Sequence, residues 1–376
     1  MSWGIYGASG VTGTLIVAEA IKRGHRPVLL GRSEATLRPI AERWDLLWRT
    51  APTSAHAVLD EALRDLEVVV NAAAPFSTTV PPLLEACVRT GTSYLDLSNE
   101  FETVSLAFTV DAAAASAGIT VVPGVGFGTV ASNAVLRCVT EALPGAAVLE
   151  VALLADNAPG GTATRESVFA VLASGAAWYR SGAVRYGRLG TGIRTISTPV
   201  GTRSIVPIAT GDLAAAHYSA PSAAVTVATV ALPVPAAILR VVLPVLQSAL
   251  RTGVPQRVLG QIDRVARGVR GFQGTRNSTD EGSTIKRPRA RVYSSLAWAR
   301  ATSRDGRTAT AWLDTGEGYA FSASSAVSAV EKVLAGTEPG AWTPSQAFGV
   351  DFAFGIPGTR VRLWDDNELG HASSQS

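Results

Sequence analysis

Cysteine, lysine and charge are what this chain has little of. Its two cysteines, Cys87 and Cys138, both fall in apolar helical patterns, and no signal peptide precedes the first expected strand, so a reducing, cytoplasmic location is expected. A nucleophilic role for Cys87 would need a basic neighbour that the pattern does not supply, which leaves a buried structural thiol. The four histidines, His25, His56, His217 and His371, have no metal-ligand spacing with one another or with the cysteines, so no metal site is expected. A net charge of +3 and a pI near 9.0, without a basic run interleaved with aromatics, give no footprint for nucleic acid. Charged residues make up 17% and hydrophobic ones 47%, so some apolar surface is expected to meet a partner subunit, a greasy substrate or a membrane.

What is present starts with Trp3-Gly4-Ile5-Tyr6-Gly7-Ala8-Ser9-Gly10-Val11-Thr12-Gly13, a short apolar strand running into a glycine-rich turn and a helix. That order suits a dinucleotide: Gly7 for the tight turn, Gly10 for close approach of a pyrophosphate, Gly13 for close packing of the helix on the sheet. The N–H groups of the helix start, with Ser9, Val11 and Thr12, are the expected phosphate contacts. Val11, Leu15, Ile16, Ala20 and Ile21 give the helix an apolar stripe, and Pro27-Val28-Leu29-Leu30 supplies the next strand.

At the end of that second strand stands Gly31-Arg32-Ser33, where a site for the unphosphorylated cofactor usually has Asp or Glu. A guanidinium and a hydroxyl suit a ribose 2′-phosphate, so NADP(H) is the expected cofactor. Farther on, Val68-Val69-Val70-Asn71 is a buried parallel strand, and Ala72, Ala73, Ala74, Pro75 and Phe76 after it are expected to line the cofactor cleft.

Strand and helix go on alternating to about residue 125, which predicts a Rossmann-type doubly wound parallel sheet of the α/β class. The expected helices include 80–91 and 102–117, and the expected strands 46–49, 93–100 and 119–123. Residues 126–315 read as a second, α+β domain for substrate and dimerisation, 316–365 as a segment whose helices return to the first domain, and 366–376 as a tail. In the second domain, Gly161, Thr162 and Arg165 at a helix start could bind an anionic or carbonyl group, Thr162 being equally readable as a simple cap. Asp305-Gly306 predicts a hairpin. Leu213 to Leu239 contains no Asp, Glu, Lys or Arg, but Pro221, Pro233 and Pro235 interrupt it. A strand followed by an amphipathic helix is expected there rather than a membrane span, with a peripheral membrane or acyl-chain contact as the intermediate reading.

Taken in order, Gly7 to Gly13, Gly31-Arg32, Val70 to Phe76, Tyr94-Leu95-Asp96-Leu97-Ser98-Asn99-Glu100 and Pro123-Gly124-Val125-Gly126-Phe127 resemble the successive signatures of the saccharopine dehydrogenase-like NADP-binding oxidoreductases, and within them the trans-acting enoyl reductases. Further likeness lies at Gly160-Gly161-Thr162 and from Trp342 to Gly349. The resemblance implies C-terminal helices that return to the nucleotide domain, and an NADPH-dependent reductase of an activated C=C bond in a polyketide- or lipid-like substrate, with Phe127 among the substrate contacts. Three positions depart from the pattern: Gly128 and Asn133 stand where relatives usually carry acids, and Asn99 where glycine is common.

Lysine is confined to Lys22, Lys286 and Lys332, none in an expected cleft, and no Tyr-x-x-x-Lys occurs. This speaks against a tyrosine–lysine acid and against a lysine acid. Glu100, Tyr319 and Tyr94 remain as proton donors, or water. Two other readings stay open: a C=N reductase nearer to saccharopine reductase, and a non-catalytic NADP-binding scaffold. A homodimer is expected from the apolar second domain.

Overall fold

The computed structural model describes residues 2–154, 171–199, 201–251 and 295–364. Its first sheet joins β1 (Trp3–Tyr6), β2 (Val28–Gly31), β3 (Trp48–Thr50), β4 (Val68–Asn71), β5 (Ser93–Asp96) and β6 (Thr120–Val122), all parallel, in the order β6-β5-β4-β1-β2-β3. Every residue of β1, β2 and β4 is buried, as continuous apolar runs require when helices cover both faces. The covering helices are α1 (Val11–Lys22), α2 (Glu34–Trp44), α3 (His56–Leu63), α4 (Phe76–Thr90), α5 (Phe101–Thr109) and α6 (Asp111–Ala117). Since all six strands point one way, their carboxyl ends share one edge, and the strand order reverses between β1 and β4.

Several boundaries move from the expected ones for local reasons. The third strand begins at Trp48 because Leu46 is used to close α2, its N–H bonding to Ala41 O (3.0 Å). Helix α4 begins at Phe76 rather than at residue 80, and it accommodates Pro81 and Pro82 while burying Val80, Leu83 and Leu84. The expected helix 102–117 breaks at Val110, where Asp111 restarts it and accepts a bond from Ala341 N (2.8 Å). The strand 93–100 stops at Asp96, and its polar end becomes a turn.

From β6 the chain enters α7 (Phe127–Ala142) and then the second sheet. This sheet contains β7 (Val148–Leu154), β8 (Ala176–Arg180), β9 (Ala183–Gly187), β10 (Arg194–Ile196), β11 (Arg203–Pro207), β12 (Val225–Leu232), β13 (Leu296–Thr302) and β14 (Thr308–Asp314), with α8 (Gly211–Ser219) and α9 (Ala236–Arg251) between them. Its main path runs β10-β11-β12-β7-β13-β14, and β8 pairs with both β12 and β9. The β13–β14 hairpin turns at Asp305-Gly306, where Gly306 has φ +88°. The charge-free stretch does not start with a strand: Leu213 to Ser219 belong to α8, whose Leu213, Ala214, Ala215 and Ala216 are buried, and the strand starts only at Val225. No described helix is long and apolar enough to cross a membrane.

The last elements are α10 (Gly318–Leu334), β15 (Gly340–Ala341), α11 (Pro344–Phe348), α12 (Asp351–Phe354) and β16 (Arg360–Trp364). Helix α10 starts at Gly318 because the Glu317 carboxylate accepts bonds from Tyr319 N (3.1 Å) and Ala320 N (2.7 Å). It lies against α1, where Arg23 donates to Glu19 (2.8 Å), Ser328 (2.8 Å) and Glu331 (3.1 Å). Strand β15 extends the first sheet beside β6. Strand β16 does not return to the nucleotide side as the expectation for 316–365 had it; it pairs with β14 in the second sheet.

Candidate functional site

The carboxyl edge of the first sheet begins with the glycine turn. Gly7 has φ +85°, and a Cβ there would stand 2.7 Å from the Cβ of Ala73, so the turn after β1 and the turn after β4 touch only because residue 7 is glycine. At Gly13 a Cβ would stand 2.2 Å from Gly7 O, which is how closely α1 lies on the turn. Gly10 caps α1 without a side-chain bond, and the first intrahelical bond runs from Thr14 N to Gly10 O (2.9 Å). The N–H groups ahead of Thr14 therefore open beside the exposed Ser9, Gly10 and Val11, with Thr12 half-buried. Backbone donors at a helix start with no side chain in the way fit a pyrophosphate.

Arg32 follows the buried Gly31 at the end of β2 and is exposed, with Ser33 half-buried beside it as the N-cap of α2. Arg32 makes no ion pair among the described residues. Its charge reaches the Tyr6 hydroxyl, which donates to Ala51 O (2.9 Å): burial pushes that phenol up and Arg32 partly offsets it. A guanidinium that makes no ion pair among the described residues, at this strand end, fits a phosphate.

The turn after β4 is fixed from inside. Asn71 is buried; its side chain accepts from Ala73 N (3.0 Å) and donates to Thr79 Oγ1 (3.1 Å) and Tyr94 Oη (3.2 Å), and Thr79 Oγ1 donates to Ala73 O (2.6 Å). Ala72, Ala73, Ala74 and Phe76 are half-buried and Pro75 exposed, so small side chains front the opening.

Asp96 holds the next two turns together. Its carboxylate accepts from Ser98 N (2.9 Å), Ser98 Oγ (2.7 Å), Gly124 N (2.8 Å) and Tyr94 Oη (3.0 Å). Burial pushes this carboxyl above the usual range, and bonds from Gly124, Ser98 and Tyr94 pull it part of the way back. Tyr94 is fully buried and raised well above an ordinary phenol, first by burial and then by Asp96. This corrects its candidacy as a proton donor: Tyr94 is a member of the internal network and does not open on the edge.

Glu100 is buried as well. Its Oε2 accepts from Ser77 N (3.0 Å), and its backbone forms a bridge with Thr210. Next to it, Asn99 O accepts from Gly211 N (3.0 Å) and Asn99 Oδ1 from Asp212 N (3.2 Å), while Asp212 Oδ1 accepts from Ser132 Oγ (2.8 Å). Asp212 lies in the interior, and burial raises its carboxyl. Asn99 thus clamps the first sheet to α8, and its side-chain nitrogen stands 2.9 Å from where a Cβ on Gly128 would be. Asn133 is structural too: it donates to Ser219 Oγ (2.6 Å) and accepts from Ser345 N (2.9 Å), joining α7, α8 and α11.

Phe127 is half-buried at the head of α7; its N–H donates to Ser322 Oγ (3.0 Å), and its ring meets Phe321 edge-on at 6.2 Å. A Cβ on Gly318 would stand 3.7 Å from the same ring, so the start of α10, with the half-buried Tyr319, is beside Phe127. Gly161, Thr162 and Arg165 lie outside the described residues. Cys87 is fully buried, and burial raises its thiol. Asp212 was missed by sequence reasoning, although it is the single acid between residues 171 and 251.

Residues 3–122 match the family described as Saccharopine dehydrogenase NADP binding domain. A stretch of 105 residues is 33% identical to a trans-acting enoyl reductase of Mycobacterium ulcerans (strain Agy99), covering 26% of this chain and 25% of that protein. Among solved structures, the fold is similar to apo saccharopine dehydrogenase (L-Glu forming) from Saccharomyces cerevisiae, with TM-score 0.61 and 14% identity over 97% of this chain and 100% of that one. It is also similar to the homospermidine synthase of Legionella pneumophila in complex with NAD, with TM-score 0.62 and 10% identity over 96% and 91% of the two chains.

Proposed function

With residues 3–122 belonging to the saccharopine dehydrogenase NADP binding domain family, we propose that the chain is an NADPH-dependent reductase of an activated C=C bond in a polyketide- or lipid-like substrate. The observation that carries the cofactor half is the exposed Arg32, without an ion pair among the described residues, at the end of the strand next to β1 and the uncapped start of α1. In this reading Gly7, Ser9, Gly10, Val11 and Thr12 hold the pyrophosphate, Arg32 and Ser33 the 2′-phosphate, and Ala73, Ala74, Pro75 and Phe76 flank the nicotinamide ribose. Bound NADPH supplies the hydride. Asp96 keeps the two turns beyond β5 and β6 in place, so that Phe127 and the start of α10 form the far wall. Of the three expected proton donors, Tyr94 is enclosed and Glu100 is turned onto Ser77, which leaves the Tyr319 hydroxyl, or water, to deliver the proton. The choice of C=C over C=N is supported by the enoyl reductase likeness, which covers about a quarter of each chain.

Fluorescence titration with NADPH and with NADH, on the protein and on Arg32→Ala, tests the cofactor half. A bond to a charged group contributes about 1.5–3 kcal/mol, so NADPH affinity is expected to fall roughly tenfold to a hundredfold while NADH affinity stays put. Equal loss for both cofactors would remove Arg32 from the site. NADPH consumption is then followed with enoyl thioesters and with imines: turnover of imines alone selects the C=N reading, and binding without any turnover selects the scaffold.

A further inference from the structure

Tyr6 ends β1 immediately before the glycine turn and is 1% exposed. A phenol enclosed to this degree needs a partner for its hydroxyl. It finds one two strands away. Tyr6, Leu30 and Arg49 stand in one row across β1, β2 and β3, and the Tyr6 hydroxyl donates to Ala51 O (2.9 Å) just past the end of β3. The side chain therefore reaches from β1 to the far side of β2. Ala51 is held at its other end as well, its N–H donating to Gly31 O (2.8 Å), while Gly7 N donates to Leu30 O (2.8 Å). One hydroxyl and two backbone bonds thus tie three strand ends together.

Arg32 follows Gly31 at the end of the middle strand of the three, so it stands between the glycine turn and the turn 51–55. A long, exposed guanidinium loses rotamer freedom when a ligand fixes it, and firm walls on either side reduce that loss. The glycine turn is one wall. The other is closed by Ala55 N donating to Pro52 O (3.0 Å) and is anchored at Ala51. Its Thr53 bears on the Tyr6 hydroxyl through both side chain and backbone, as does the Arg32 charge, so turn, hydroxyl and guanidinium lie together. Burial holds the phenol above its ordinary value, and it stays protonated and donating at neutral pH. We propose that Tyr6 is a positioning residue for the cofactor's 2′-phosphate: through Ala51 its hydroxyl sets the turn 51–55 beside Arg32, and with it the preference for NADPH over NADH. The inference rests on the reading of Arg32 as the phosphate ligand.

The test is fluorescence titration with NADPH and with NADH of the full chain, Tyr6→Phe, Arg32→Ala and the double variant, with thermal melts as the control for folding. Tyr6→Phe removes one neutral hydrogen bond, so NADPH affinity is expected to fall roughly twofold to tenfold while NADH affinity stays unchanged. In the Arg32→Ala background the same substitution should have no further effect. A merely structural hydroxyl would weaken both cofactors alike, with or without Arg32. Either of those results overturns the inference, as does NADPH binding that Tyr6→Phe leaves untouched. If Tyr6→Phe melts too low to be titrated, Pro52→Gly loosens the same turn with Tyr6 in place and must show the same selective loss; without it the inference falls. Selective loss in Arg32→Ala but not in Tyr6→Phe leaves Arg32 in the site and overturns this inference alone. Equal loss of both cofactors in Arg32→Ala removes Arg32 from the site and the role of Tyr6 with it.

Discussion

The side-chain nitrogen of Asn99 lies 2.9 Å from the point where a Cβ on Gly128 would stand. These two residues are separate departures from the family pattern in the sequence, but in the fold they are neighbours. A side chain at 128 would push the end of the Asn99 side chain away from Asp212 N, whose bond it accepts. Gly128→Asp is therefore expected to destabilise the protein by about 1–3 kcal/mol, the usual cost of overpacking. Adding Asn99→Gly should recover most of that loss. Urea unfolding of the four proteins gives the coupling, and a coupling near zero would sink the idea.

Gly13 and Gly10 should separate packing from cofactor binding. A Cβ at 13 stands 2.2 Å from Gly7 O, whereas at 10 the nearest atom is 3.3 Å away. Gly13→Ala is expected to cost about 1–3 kcal/mol of stability and to weaken NADPH binding as the turn shifts. Gly10→Ala should weaken binding with a smaller loss of stability. Equal stability losses in thermal melts would contradict the assignment.

Asp96 receives bonds from Tyr94, Ser98 and Gly124, all buried around it. Asp96→Ala leaves these donors without their acceptor, at about 1–3 kcal/mol for each one stranded. A loss of roughly 3 kcal/mol or more is expected in urea unfolding, with Asp96→Asn costing less because it keeps one oxygen. A loss under about 1 kcal/mol would mean the turns are held by other means.

His217 stacks on Tyr179 at 3.8 Å, and burial lowers its pKa below the ordinary 6.5. The unfolded chain then takes up a proton near 6.5 that the folded chain refuses, so the stability is complete above that pH and falls as pH drops toward the folded value. His217→Phe should flatten this part of the stability profile as pH falls below about 6.5. Thermal melts across that range check it, and an unchanged slope would acquit the imidazole.

Periodicity and glycine placement made the first sheet readable. Val68 to Asn71 and Trp3 to Tyr6 are continuous apolar runs that only a doubly covered strand explains, and the turn after Tyr6 carries its own steric signature. The candidate site was legible wherever one short segment supplies the geometry, as at Gly7 to Gly13 and at Arg32. It was illegible where two distant segments meet. Nothing local says that Asn99 reaches Asp212, or that Asn133 joins Ser219 to Ser345, because such pairs exist only after the two sheets have been brought together. The position of Tyr94 was half legible: its shared face with Asp96 follows from the period of a strand, but its enclosure depends on Asn71 and on the helices packed above it.

Both sheets take an outer strand from the last stretch of the described chain: β15 lies beside β6, and β16 lies beside β14. During synthesis the nucleotide half emerges from the ribosome with its β6 margin bare until Gly340 and Ala341 arrive, and the second sheet waits longer for Arg360 to Trp364. Bare margins invite pairing with other nascent chains. A ribosome that stalls or a protease that cuts ahead of residue 340 would thus release a product with two unfinished sheets, prone to aggregate even though the glycine turn and Arg32 are already in place.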